Sequence, residues 1–81
     1  MNMNVNAKNL VNININEFAR RVKAQRIYMN LSQAEAARKI GVNHATIHRW
    51  EYARAMPDSY TLFRVCRAYA CSADFLLCLG T

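Results

Sequence analysis

Acidic side chains are scarce in these 81 residues: five Asp and Glu stand against eleven Lys and Arg, a formal charge of +6. The isoelectric point is about 9.7. On so small a surface this excess favours polyanionic partners, nucleic acid first and acidic membrane second. No stretch approaches the ~18–20 apolar residues of a membrane span, and the apolar run Phe75 to Leu79 is short. The N-terminus lacks a charged region followed by a long apolar run, so export is not expected. Cysteine is limited to Cys66, Cys71 and Cys78, an odd number. They are read as reduced core residues of a cytoplasmic protein, because free Cys behaves as a small hydrophobe. Glycine occurs twice and proline once, so Gly41 and Pro57 stand out as breaks.

What is present suits one small domain. A hydrophobic fraction of 53% is enough for a compact core and argues against global disorder. The area available for burial is modest, so the fold must be economical or borrow stability from a partner subunit. Residues 1–15 differ from the rest, with Asn at positions 2, 4, 6, 9, 12 and 14. Val11, Ile13 and Ile15 alternate with Asn12, Asn14 and Asn16, the period of a strand with one apolar face. This segment is expected to be either a short β-strand needing a partner edge or a flexible arm. Residues 16–81 form the domain proper.

From Asn16 the period becomes helical. Asn16 suits an N-cap, with Phe18, Val22 and Met29 on one stripe and Asn30 in a left-handed position after it. Ser32-Gln33-Ala34-Glu35 has capping-box spacing and opens a second helix that stops at Gly41. Asn43 caps a third helix carrying Ile47 and Trp50 inward. Asp58, after Pro57, caps a fourth through about Tyr69, and Ser72 caps a short fifth. The expected fold is all-α, with five short helices.

Two short helices separated by Gly41-Val42 and followed by Trp50-Glu51 are the strongest functional signal. Gly41 permits the positive φ that turns the second helix steeply into the third. Ala37, Ile40, Val42, Ile47 and Trp50 can lock that angle. One face of the third helix then stands clear of the body and fits a groove about 12 Å wide. At Leu31-Ser32-Gln33-Ala34-Glu35-Ala36-Ala37-Arg38-Lys39-Ile40-Gly41-Val42-Asn43-His44-Ala45-Thr46-Ile47-His48-Arg49-Trp50-Glu51 the sequence resembles the helix-turn-helix of the phage repressor and Cro superfamily (XRE-type regulators). The resemblance runs from about Glu17 to Leu79 and implies a lambda-repressor-like five-helix domain. It leaves residues 1–15 uncovered. Ala36 stands where the family usually has Leu, so the core there is expected to be either smaller or refilled by Phe63 or Met56. Ala53 and Ala70 stand where Gly is common, and a left-handed backbone at either would cost ~1 kcal/mol.

The resemblance also implies roles. His44, Ala45 and Arg49 match positions that project into the major groove. There Arg49 can pair bidentately with guanine, Ala45 can meet a thymine methyl, and His44 can donate or accept at a base edge. Gln33, at the start of the second helix, matches a position that packs on a DNA phosphate. Asn43, Thr46, His48, Arg54 and Lys23 complete the expected backbone contacts. Arg26 and Glu51 match an ion pair tying the first helix to the end of the third. Neither cofactor nor metal is implied: His44 and His48 have i, i+4 spacing, but Cys66 and Cys71 are not a Cys-x-x-Cys pair.

The function so implied is that of a sequence-specific double-stranded DNA-binding transcriptional regulator. It would be a Cro/repressor-like protein of phage or prophage type, binding a palindromic operator as a homodimer. The alternative is an antitoxin-like module that binds both operator and a protein partner. An enzyme is not expected, since no nucleophile triad, carboxylate pair or phosphate loop can be assembled. The chain is read as either a small complete regulator or the DNA-binding part of a longer repressor.

Overall fold

The computed structural model describes residues 14–79. Five helices follow in order: α1 Ile15–Tyr28, α2 Gln33–Ile40, α3 His44–Glu51, α4 Ser59–Tyr69 and α5 Ala73–Leu76. The described residues contain no strand, and the domain is all-α.

Side chains fix where each helix begins. Ser32 and Glu35 close a capping box on α2, the Ser hydroxyl accepting from the Glu35 N–H at 3.0 Å. Asn43, Asp58 and Ser72 cap α3, α4 and α5. The first helix departs from expectation, because its cap is Asn14 rather than Asn16. The Asn14 side chain accepts from Glu17 N–H at 3.1 Å, which leaves Asn16 inside the first turn. Ile15 is therefore helical and half-buried, and it cannot belong to a strand. Val11 and Ile13, the rest of that expected strand face, lie outside the described residues.

Helix ends use the left-handed region repeatedly. Gly41 has φ 88°, and Asn30, Ala53, Ala70 and Cys78 adopt it without being glycine. Each such Ala costs ~1–2 kcal/mol in backbone strain. Gly41 is required for space as well as conformation, since a Cβ there would meet Nη2 of Arg64 at 2.9 Å. That guanidinium donates to the Ile40 carbonyl through Nε at 3.0 Å and Nη2 at 2.6 Å. Arg64 thus caps α2 from a helix 24 residues away in sequence.

Helix α2 packs on α3 and α4, α1 on α3 and α5, and α4 on α5. Phe18, Val22, Ile47, Trp50, Val65, Tyr69 and Leu76 are fully buried between them. Fully burying a large apolar side chain contributes about 1.5–3 kcal/mol, so Ile47 and Trp50 hold α3 firmly by one face. Ala36 is fully buried, and Met56 packs against the core. Phe63 does not refill that space: it is 58% exposed because its position on α4 points it outward, beneath the Arg67 guanidinium.

Candidate nucleic-acid interface

Helix α3 is eight residues long and divides cleanly. Ile47 and Trp50 are buried, while His44, Ala45, His48 and Arg49 are exposed. Asn43 Oδ1 accepts from the Ala45 N–H at 2.8 Å, so the carbonyl oxygen that caps the helix is already engaged. Thr46 is half-buried, and its hydroxyl accepts from Arg49 Nη2 at 3.2 Å. The Arg49 side chain is thereby steered along the outer face of α3.

The two ends of α3 are held differently. At its C-terminal end the Glu51 carboxylate accepts from Arg26 Nε at 2.6 Å and Nη2 at 3.0 Å. The pair is enclosed, with side-chain exposures of 10% and 1%. Arg26 Nη1 also donates to the Leu31 carbonyl at 2.8 Å. The Glu51 hydrogen bonds and burial act oppositely on Arg26, and the bonds prevail, raising its pKa. Helix α1, the α1–α2 turn and α3 are thus fastened at one point.

The Glu51 carboxylate also reaches α2. Gln33 Nε2 donates to Glu51 Oε1 at 3.0 Å, and Gln33 Oε1 lies 3.2 Å from His44 Nε2. Gln33 is half-buried, its side-chain amide bonded on both sides within the protein. The ion pair was legible from the family resemblance, but its extension to Gln33 and His44 was not. No local spacing signals it, because 18 and 11 residues separate the partners.

Beyond α3, Arg54 is exposed and its backbone N–H donates to the Arg49 carbonyl at 2.8 Å. His48, Arg49, Tyr52 and Arg54 line one open cleft. Tyr52 was not singled out by sequence reasoning. Its ring stacks on His48 with centroids 4.2 Å apart, and the i, i+4 spacing of the two aromatic rings was the available signal. Lys23 is exposed on α1, one turn before Arg26, and no hydrogen bond or salt bridge joins it to the α3 residues.

The cysteines offer little reactive chemistry. Burial pushes the Cys71 thiol up to about 11 and raises Cys66 as well, so both are neutral at physiological pH. Among the described residues, no group of three or more His, Cys, Asp or Glu could hold a metal ion.

The helix-turn-helix family (HTH_3) matches residues 22–76. The chain belongs to this family. Repressor protein C2 of Salmonella phage P22 is 32% identical to this helix-turn-helix chain over 57 residues. That match takes in 70% of this chain and 26% of the repressor, so the chain spans about a quarter of that relative's length. The crystal structure of the P22 c2 repressor in complex with synthetic operator 9T superposes with a TM-score of 0.74 at 28% identity. It covers 78% of this chain and 96% of that one. The solution structure of the P22 c2 DNA-binding domain gives 0.73 at 29% identity, covering 80% and 86% respectively. An HTH_3 family transcriptional regulator from Vibrio cholerae shares the fold at 21% identity, with a TM-score of 0.70 over 82% of this chain and 37% of that one.

Proposed function

We propose that this helix-turn-helix chain is a phage-repressor-like transcriptional regulator that reads double-stranded operator DNA with α3. The observation that carries the reading is the division of α3. Two buried anchors, Ile47 and Trp50, leave His44, Ala45, His48 and Arg49 outward on a rigid mount. Arg49 supplies a bidentate contact to guanine O6 and N7, and Ala45 and His44 read the neighbouring base edges. Arg54, His48 and Lys23 lie against phosphates, with the α3 cap at Asn43-Thr46 and the α2 start at Gln33 close to the backbone. The P22 c2 repressor, solved on a synthetic operator, supports the assignment through its shared domain.

A single recognition helix covers only a few base pairs, so the regulator acts as a symmetric homodimer on a palindromic site, with recognition helices ~34 Å apart. Of the C-terminal apolar residues, Leu76 is buried and Leu77 packs on the core, leaving Phe75 and Leu79 outward for such an interface. The chain acts by occupying DNA and carries no catalysis. Its place is the cytoplasm of a bacterial or phage-infected cell. In keeping with that, no described helix is long and apolar enough to cross a membrane.

Selection from random duplex DNA, followed by titration of Arg49→Ala and Arg54→Ala, tests the proposal. Arg49→Ala should lose preference at one base pair per half-site at a cost of ~1–3 kcal/mol. Arg54→Ala should weaken all duplexes about equally and flatten the salt dependence. Absence of binding to any duplex at low salt refutes the proposal.

A further inference from the structure

The hydrogen bonds joining Arg26, Glu51, Gln33 and His44 have a direction, and that direction ends at the candidate base-reading face. A carboxylate can only accept, so Glu51 Oε1, 3.0 Å from Gln33 Nε2, requires the NH₂ of Gln33 on that side. Arg26 donates to the same carboxylate from Nε and Nη2 in an enclosed site, so both oxygens are acceptors there. With its NH₂ so committed, Gln33 turns its carbonyl Oε1 towards His44. The ring atom facing that carbonyl at 3.2 Å is Nε2, which must therefore be the donor. In neutral imidazole one nitrogen donates and the other accepts. Nδ1 is left as the acceptor, on a residue exposed at the first position of α3.

We infer that Gln33 and the buried Arg26–Glu51 pair act as positioning residues that fix His44 in its Nε2–H form, making His44 a specificity determinant for major-groove amino groups. This inference rests on the DNA-reading role of α3 proposed above. In the major groove the donors are the adenine N6 and cytosine N4 amino groups. Guanine and thymine present only acceptors where His44 would meet them, and an unprotonated Nδ1 cannot bond to an acceptor. The pair buried 25 residues apart in sequence thus bears on which bases are chosen as well as on stability. Were the His44 side chain unlinked, rotation and tautomer exchange would let it serve either class of base.

Two measurements on the full chain test this separately. In free protein at a pH where imidazole is neutral, ¹⁵N NMR of His44 should show the Nε2–H form alone. Gln33→Ala should move the nitrogen shifts towards the tautomer mixture of an unlinked imidazole, while near-ultraviolet circular dichroism stays native. A mixed population in the wild type, or unchanged shifts in Gln33→Ala, overturns the inference without reference to DNA. Selection from random duplexes should then give one preferred base pair per half-site that depends on His44; replacing its adenine or cytosine by an analogue lacking the N6 or N4 amino group should abolish that preference, and Gln33→Ala should reduce it by about 5- to 10-fold. His44→Ala should abolish the preference at that position and leave the Arg49-dependent position unchanged. A preference that survives removal of that amino group, or identical preferences for wild type and Gln33→Ala, sinks the specificity claim. No selection from any pool, by contrast, would refute the DNA-reading role itself.

Discussion

Two carboxylates of this domain each engage arginine, and they stand in opposite circumstances. Glu17 binds Arg20 and Arg21 within one turn of α1, on the surface. Glu51 binds Arg26 across 25 residues, with almost none of its side chain exposed. The surface cluster joins residues that the helix already brings together, in water that screens them, so it adds little to stability. The enclosed pair has no solvent to replace a lost partner, and it fixes α3 against α1 and the α1–α2 turn. The difference teaches that the same chemistry is a local ornament in one place and a geometric constraint in the other. Even the outer cluster has one tertiary branch, because Arg21 Nη1 donates to the Phe75 carbonyl at 2.8 Å and its guanidinium lies over the Phe75 ring.

The largest effect is expected from splitting the enclosed pair. Arg26→Met strands the Glu51 carboxylate, and urea unfolding should show a loss of about 3–5 kcal/mol. Arg26→Met combined with Glu51→Leu should recover most of that loss, because two apolar side chains leave no charge behind. If the double variant were as unstable as the single one, packing rather than the stranded charge would be the cause. Next in size is Gln33→Ala, which removes one of the donors to Glu51 and should cost about 1–2 kcal/mol in the same assay. Smaller again, Arg20→Ala should leave stability nearly unchanged, and salt should abolish what change there is. A salt-independent loss there would erase the contrast between the two sites.

The smallest expected effect concerns acid. Hydrogen bonds from Arg20 and Arg21 lower the Glu17 pKa from 4.5 to about 2. Backbone N–H bonds at the helix caps also lower Glu35 and Asp58, from Ser32 and Thr61 respectively. Each group is deprotonated more readily folded than unfolded, so its contribution is complete above the ordinary carboxylate value. It is lost as pH falls, for Glu17 between about 4.5 and 2. Glu17→Gln should flatten the stability profile in that window, lowering stability above it and converging with the parent chain at its acid end. Thermal unfolding of both chains between pH 2 and 7 would measure this.

Much of the local architecture was legible in residue types. The Ser32–Glu35 capping box, the caps at Asn43, Asp58 and Ser72, and the turn at Gly41 all rest on interactions spanning a few residues. Asn16 misled because Asn14 offers the same side chain two residues earlier, and only the Glu17 N–H decides between them. Phe63 misled because apolar character does not tell which face of α4 meets Ala36.

The sequence alone determined the all-α character and the helix-turn-helix, since period and capping are read within one or two turns, and its resemblance to phage repressors implied the outward set His44, Ala45, His48 and Arg49. Tertiary structure alone decided that Arg64 caps α2, that Gln33 bridges Glu51 to His44, and that Tyr52 joins His48, Arg49 and Arg54 around one cleft. The physical reason is range. A hydrogen bond between residues three apart follows from helical geometry, whereas one between residues 18 or 24 apart exists only after the core around Ile47, Trp50 and Val65 has set the helices against one another.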